Sequence, residues 1–220
     1  MKMPSFLALV EQPEGAEIRI DGEISGFEFW GDEFTPAMLR EQLKGLKGQP
    51  LSVWINSPGG DVIAASEIYT ALKEYPGKVT VKIDAIAASA ASVISMAGDD
   101  VLMAPTAYMM IHNPWTMTAG NAQQLRAEAE TLDVIADGIM AAYEIKTGKG
   151  RDEIKALLDA NGGEGTWMSA RQAVEMGFAD AVLFVEPDEP KPEEPADNKL
   201  TAMARERFAA RLDLLSSLQK

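Results

Sequence analysis

Apolar and polar residues alternate along Ala16-Glu-Ile-Arg-Ile-Asp21, along Leu51-Ser-Val-Trp-Ile55 and along Val79 to Ile86. Period-two alternation predicts strands, the first closed by Gly22. Between them the apolar spacing changes to three and four. Thr35-Pro-Ala-Met-Leu-Arg-Glu-Gln-Leu43 combines a cap, a first-turn proline and helical spacing. Asp61 to Tyr75 carries Ile63, Ile68 and Leu72 on one side and stops at Pro76-Gly77, after Asn56-Ser-Pro-Gly-Gly60 has made the turn from the preceding strand. The alanine-rich run from Ser89 to Ala97 predicts a third helix, and Val101 to Met103 with Tyr108 to Ile111 two further short strands. Alternating strands and helices predict an α/β fold with a parallel sheet and right-handed crossovers. Its functional groups are expected at the carboxyl ends of the strands.

Asn121 to Thr147 gives one long helical pattern, with Leu125, Leu132, Ile135, Ile139 and Tyr143 on one stripe and Gly148 closing it. A helix over Arg151 to Leu158, the glycine-rich Asn161-Gly-Gly-Glu-Gly165, a short capped helix over Met168 to Gly177 and a strand over Ala181 to Val185 follow. Residues 1–15 lack periodicity and read as an irregular start, so the globular domain is expected over 16–185. Residues 186–198 are expected to be an acidic, proline-rich linker, since Glu186 to Asp197 holds four prolines and six acidic residues in twelve. Over 199–220, Leu200, Ala204, Phe208, Leu212, Leu215 and Leu218 make an apolar stripe, so an amphipathic helix that packs against a partner is expected there.

Composition narrows the chemistry. There is no cysteine and one histidine, which removes disulfides, thiolate catalysis and histidine-rich or cysteine-ligated metal sites, and no metal or cofactor is expected. A net charge of −14 without a basic stripe argues against a nucleic-acid partner. No apolar run reaches membrane-spanning length and no leader pattern opens the chain, so no membrane is expected and the cytoplasm is the default location.

Three stretches carry candidate chemistry. Ser89 sits where a strand becomes a helix, among Ala87, Ala88, Ala90 and Ala91, a setting that leaves room for a peptide and supplies backbone N–H groups to a developing oxyanion. Taken alone, the same stretch reads more readily as a packed helix in which the serine is merely small. Asn56-Ser-Pro-Gly-Gly60 lets backbone approach a ligand, or is a plain strand-to-helix turn. Met110-Ile-His-Asn-Pro114 holds His112 after an apolar strand and before a proline, as a rigid base facing a cleft or as a satisfied core residue.

Together and in order, Asn56-Ser-Pro-Gly-Gly60, Ala87-Ala-Ser89 with Gly98 nine residues on, and Met110-Ile-His-Asn-Pro114 resemble the motifs of the Clp protease proteolytic-subunit family. Ser169-Ala-Arg-Gln-Ala-Val-Glu-Met-Gly177 adds a fourth match, and the resemblance covers about residues 16–185. Gly26-Phe-Glu-Phe-Trp-Gly-Asp-Glu-Phe-Thr-Pro36 and Gly165-Thr-Trp-Met-Ser169 look most like the phage-encoded, Clp-like head-maturation proteases. The resemblance implies a Clp/crotonase-type fold of repeated ββα units with a protruding handle, the long helix from Asn121. It implies a serine endopeptidase with Ser89 as nucleophile, His112 as base, and Gly60 and Ala90 as backbone oxyanion donors. The family's aspartate falls on Gly165, leaving Glu164 as the expected third member and Asp159 as runner-up. Protein or peptide substrates, a ring-shaped homo-oligomer, and a capsid or scaffold partner are implied with it. The short segment before the first strand argues against an ATP-driven unfoldase partner. The alternatives are a housekeeping Clp-type subunit, a crotonase-like acyl-CoA enzyme and an inactive scaffold.

Overall fold

The computed structural model describes residues 10–12 and 15–185. The expected linker at 186–198 and helix at 199–220 lie outside the described residues. A sheet of eight strands forms the frame. Its main path runs β1 (Val10–Gln12), β2 (Gly15–Ile24), β3 (Leu51–Gly60), β4 (Val79–Ala88), β5 (Asp100–Met103) and β8 (Ala181–Val182), while β6 (Tyr108–Ile111) pairs with β4 and β7 (Thr166–Ser169) pairs with β6. From β2 to β5 every pairing on that path is parallel. The helices are α1 (Pro36–Leu43), α2 (Val62–Lys73), α3 (Ala90–Ser95), α4 (Ala122–Thr147), α5 (Arg151–Leu158) and α6 (Ala170–Glu175). The mixed α/β class is the one the alternation predicts.

Strand pleating explains the core. Ile18 and Ile20, Val53 and Ile55, and Val81 and Ile83 fall on alternate positions of three neighbouring strands, all fully buried, in one cluster with Leu39 of α1, Ile68 and Leu72 of α2 and Ile94 of α3. The intervening positions are half-buried and, apart from Trp54, polar. Arg19 Nη2 donates to Asp84 Oδ2 at 2.6 Å, and the Trp54 ring receives the Arg19 guanidinium at 5.8 Å and the Lys82 ammonium at 5.2 Å. This parallel sheet therefore has one apolar and one polar face, which is why its strands alternate instead of running continuously apolar.

Helix ends follow their local signals. Thr35 Oγ1 accepts from Met38 N–H, Asp61 Oδ1 accepts from Ile63 and Ala64 N–H, Asn121 closes a capping box with Gln124, and Gly148 ends α4 in the left-handed region at φ 69°.

Several expectations are corrected. Val10–Gln12 is not irregular: it pairs antiparallel with Gly15 to Glu17. Gly22 does not end its strand; with φ 87° it is the point where the register shifts and β2 continues to Ile24. Asn56-Ser-Pro-Gly-Gly60 is not a turn, because Gly59 and Gly60 at φ 100° and 142° keep the backbone extended beside Glu23 and Ile24. Met168 belongs to β7, with α6 starting only at Ala170, and the last strand is two residues long.

Candidate active site

The motif residues meet where β3, β4 and β6 end. Ala88 pairs with Met110, so the residues that follow the two strands, Ser89 and His112, are brought side by side. Ser89 holds φ 52° and ψ −126°, a conformation that costs a non-glycine residue on the order of 1–3 kcal/mol. Its surroundings enforce it: Ser89 N–H donates to Met110 C=O at 2.9 Å, and Ser89 C=O accepts from Ser92 N–H at 2.9 Å and Ser92 Oγ at 2.6 Å. Ser92 is held in turn by the Tyr143 hydroxyl at 2.8 Å, which anchors α4 to the turn carrying Ser89. Tyr143 is fully enclosed, and burial raises its phenol pKa far above the ordinary value, so it acts as a neutral hydroxyl.

His112 Nε2 lies 2.7 Å from Ser89 Oγ. If the hydroxyl donates, the ring's own proton sits on Nδ1. Partial burial lowers the imidazole's pKa below its ordinary value, which keeps the ring neutral and able to accept. Gly59 packs directly behind the serine: a Cβ there would stand 2.7 Å from Ser89 Cβ and 2.6 Å from Ala88 O, so only glycine fits. Gly60 and Ala90 both line the same cleft as Ser89 and His112.

That cleft measures about 620 Å³. Glu23, Pro58 and Asp61 line it beside Gly59 and Gly60. Trp115 and, from α4, Glu128, Leu132 and Ile135 line it as well, so the cleft joins the glycine-bearing end of β3 to a largely apolar helix face and is large enough for several residues of a polypeptide. Among the described residues, no group of three or more histidine or acidic side chains could hold a metal ion.

Around the expected third member the chain is tightly packed. Gly165 has φ 82° and packs on the histidine itself: a Cβ there would fall 2.5 Å from His112 Cβ and 2.8 Å from His112 Cα, and closer still to Ile111 O. No side chain of any kind fits at this position. The glycine-rich loop is not free to adjust, because Gly163 N–H donates to Asp159 C=O at 3.1 Å, Gly165 N–H to Ala160 C=O at 2.9 Å and Asn161 Nδ2 to Gly165 C=O at 2.9 Å. Glu164 is exposed, and among the described residues the His112 ring hydrogen-bonds Ser89 and no carboxylate. Asp159, at the end of α5, accepts from Asn113 Nδ2 at 2.7 Å and from Lys155 Nζ at 2.8 Å, the lysine foremost in holding its carboxyl pKa below the ordinary value. Sequence reasoning passed over Asn113 although the residue lies inside the quoted histidine motif. It also read Tyr143 only as part of a helical stripe.

The sequence profile of the Clp protease family matches residues 37–186. ATP-dependent Clp protease proteolytic subunit 1 of Chlamydia muridarum is 33% identical over 168 residues, 71% of this chain and 85% of that protein. The proteolytic subunit of Bacteroides fragilis is 30% identical over 159 residues, 70% of this chain and 75% of the relative. Subunit 1 of Salinibacter ruber is 29% identical over 137 residues, 61% of this chain and 57% of the relative. Motif order, a profile match over most of the chain and relatives aligned along most of their length agree, and the chain belongs to the Clp protease family.

Proposed function

We propose that this protein is a serine endopeptidase. The observation that carries the reading is the 2.7 Å contact between His112 Nε2 and Ser89 Oγ at the floor of a cleft, with Ser89 held in a strained turn that leaves it no alternative partner at its hydroxyl among the described residues. His112 takes the Oγ proton as Ser89 attacks the scissile carbonyl carbon. The resulting oxyanion is received by the backbone N–H groups of Gly60 and Ala90. The protonated ring then gives its proton to the leaving amine as the C–N bond breaks, which leaves an acyl-enzyme on Ser89. Water enters, His112 takes its proton, and the second tetrahedral species collapses to release the acid and restore Ser89.

We assign these steps to a Ser89–His112 dyad. Asp159 acts on the histidine segment only through Asn113, and Glu164 has no part in the chemistry. Substrates are polypeptides, and the assembly is a ring of identical subunits in which α4 makes the contact between neighbours. Two settings suit this chemistry. The relatives are named as ATP-dependent proteolytic subunits, which supports a housekeeping role beside an ATPase. The Gly26 to Pro36 segment supports head maturation in a phage, with a capsid or scaffold protein as substrate.

A fluorophosphonate probe tests the mechanism. It should form one covalent adduct, mapped to Ser89 by peptide mass, and Ser89→Ala should abolish it. An adduct on Ser92 or Ser95, or none on the assembled protein, would refute the assignment. Neighbouring reading frames encoding portal or capsid proteins would decide between the two settings.

A further inference from the structure

The segment between Ile24 and α1 is apolar at its tip, and none of the chemistry above uses it. Phe27, Phe29 and Trp30 expose 68%, 68% and 83% of their surface, a concentration of aromatic area that a soluble domain seldom leaves in water without a use. Slackness does not explain it. The Glu33 carboxylate accepts from Trp30 N–H at 2.9 Å, Gly31 N–H at 2.9 Å and Phe29 N–H at 3.3 Å, and these donors, Trp30 foremost, hold its pKa down to about 2. The clamp therefore stays charged throughout the physiological range. Ser25 N–H to Phe34 C=O at 3.1 Å and Phe34 N–H to Glu23 C=O at 2.8 Å close the base of the loop. The Phe29 and Trp30 rings meet edge to face with centroids 4.7 Å apart.

The base of this loop is also a wall of the cleft. Glu23 and Asp61 line the cleft, Asp61 N–H donates to Ile24 C=O at 2.8 Å, and a side chain at Gly26 would lie 3.5 Å from Asp61 Oδ2. Because β2, β3 and β4 are successive neighbours, Ile24 stands two strand spacings, about 10 Å, from the strand that delivers Ser89. An extended polypeptide rising about 3.4 Å per residue covers that span in about three residues.

We propose that Phe27, Phe29 and Trp30 form an outer substrate subsite, which receives an apolar side chain of the polypeptide about three to five residues from the scissile bond. The proposal builds on the peptidase reading of the cleft. Rigid, preformed aromatic side chains bind with little loss of conformational freedom, so their contact area converts to affinity efficiently. The acidic rim of Glu23 and Asp61 favours a basic over an acidic residue between that apolar side chain and the scissile bond.

Binding to the full-length Ser89→Ala protein tests the subsite without requiring turnover. Fluorescein-labelled peptides would be compared by anisotropy: one spanning two residues on each side of the scissile bond, and others extended by five residues on one side, with leucine or serine at the outer positions. Leucine should tighten binding about tenfold over serine, the effect of burying one aliphatic side chain. The Phe29→Ser/Trp30→Ser double variant should bring that leucine-to-serine ratio to about one. Glu33→Ala, which keeps the aromatic side chains but releases the loop, should reduce the ratio as well. A tenfold ratio that survives the double substitution, or a parent ratio of one for both extension directions, would overturn the proposal. So would a change in particle mass by light scattering with the ratio intact, because the patch would then join copies of this chain. If the fluorophosphonate probe fails to label Ser89 while the ratio holds, the serine mechanism fails and the subsite stands.

Discussion

Replacing Gly165 should damage the protein even when the replacement supplies the carboxylate that the family resemblance would put there. An alanine at this position brings a Cβ to 2.5 Å from His112 Cβ and 2.8 Å from His112 Cα, and closer to Ile111 O. These obstacles are backbone atoms and the root of a side chain, so none can swing aside. The φ of 82° adds about 1–2 kcal/mol for any L side chain, and forcing atoms into a filled space adds about 1–3 kcal/mol. The sum, about 2–5 kcal/mol, should lower Tm by on the order of 10 °C in a chain of this size. What relaxes is the segment bearing His112, and a displacement of about 1 Å at a catalytic group costs roughly a hundredfold in rate. Gly165→Ala should therefore lose about two orders of magnitude in kcat with little change in KM. Gly165→Asp should lose at least as much rather than gain. Circular dichroism melts and hydrolysis of a fluorogenic peptide by the assembled protein read both effects. Should Gly165→Asp melt within about 2 °C of the parent and hydrolyse peptide as fast or faster, the packing on His112 is not as described and the third position of a triad is open.

Burial lowers the His112 pKa, and the neutral ring is the base, so the acid limb of kcat/KM should lie below the ordinary value of 6.5; a limb at pH 7 or above would contradict the assigned environment. By linkage the unfolded chain binds the proton first. The associated stability is thus present above pH 6.5 and lost as pH falls through the lowered value, which denaturant titrations between pH 7 and 5 would show against a His112→Gln control. Asn113→Ala and Asp159→Ala each remove the 2.7 Å tie and should lower kcat about three- to tenfold with KM unchanged, while Lys155→Ala, which spares the tie, should leave kcat near the parent value. Tyr143→Phe deletes the hydroxyl that holds Ser92 and should cost about 1–2 kcal/mol, read as a drop of a few degrees in Tm.

Strand alternation, helix caps and the break at Gly148 were legible in the sequence because each is local. A side chain that alternates in or out of a sheet, a carboxylate reaching N–H groups two and three residues on, or a glycine that closes a helix needs no distant partner to act. For that reason the buried Ile18, Val53 and Val81, the capped start at Thr35 and the helix starts at Asp61 and Asn121 fall where the pattern puts them; that Asp61 and Asn121 also cap their helices is seen only in the structure. The candidate pair was legible too, through Ser89 and His112 in their motifs. The distance between them was not, since 23 residues close to 2.7 Å only when β4 and β6 pair in a register that sets Ala88 beside Met110.

Glycine is where the sequence alone stopped deciding. Gly22, Gly59, Gly60 and Gly165 permit both turns and extended backbone, and their own preferences do not choose between them. Gly59 and Gly60 continue a strand because the backbone of Glu23 and Ile24 lies alongside, and Gly165 bears no side chain because the backbone of Ile111 and His112 fills the space. Only the tie from Asn113 to Asp159 is tertiary, 46 residues apart in sequence; Glu164 stays in solvent because the loop's own short-range hydrogen bonds, two from backbone N–H groups and one from the Asn161 side-chain amide, fix residues 159–165. Residue types specify what a segment can do; where several conformations are permitted, the hydrogen-bond partners and excluded volume of chain remote in sequence select one.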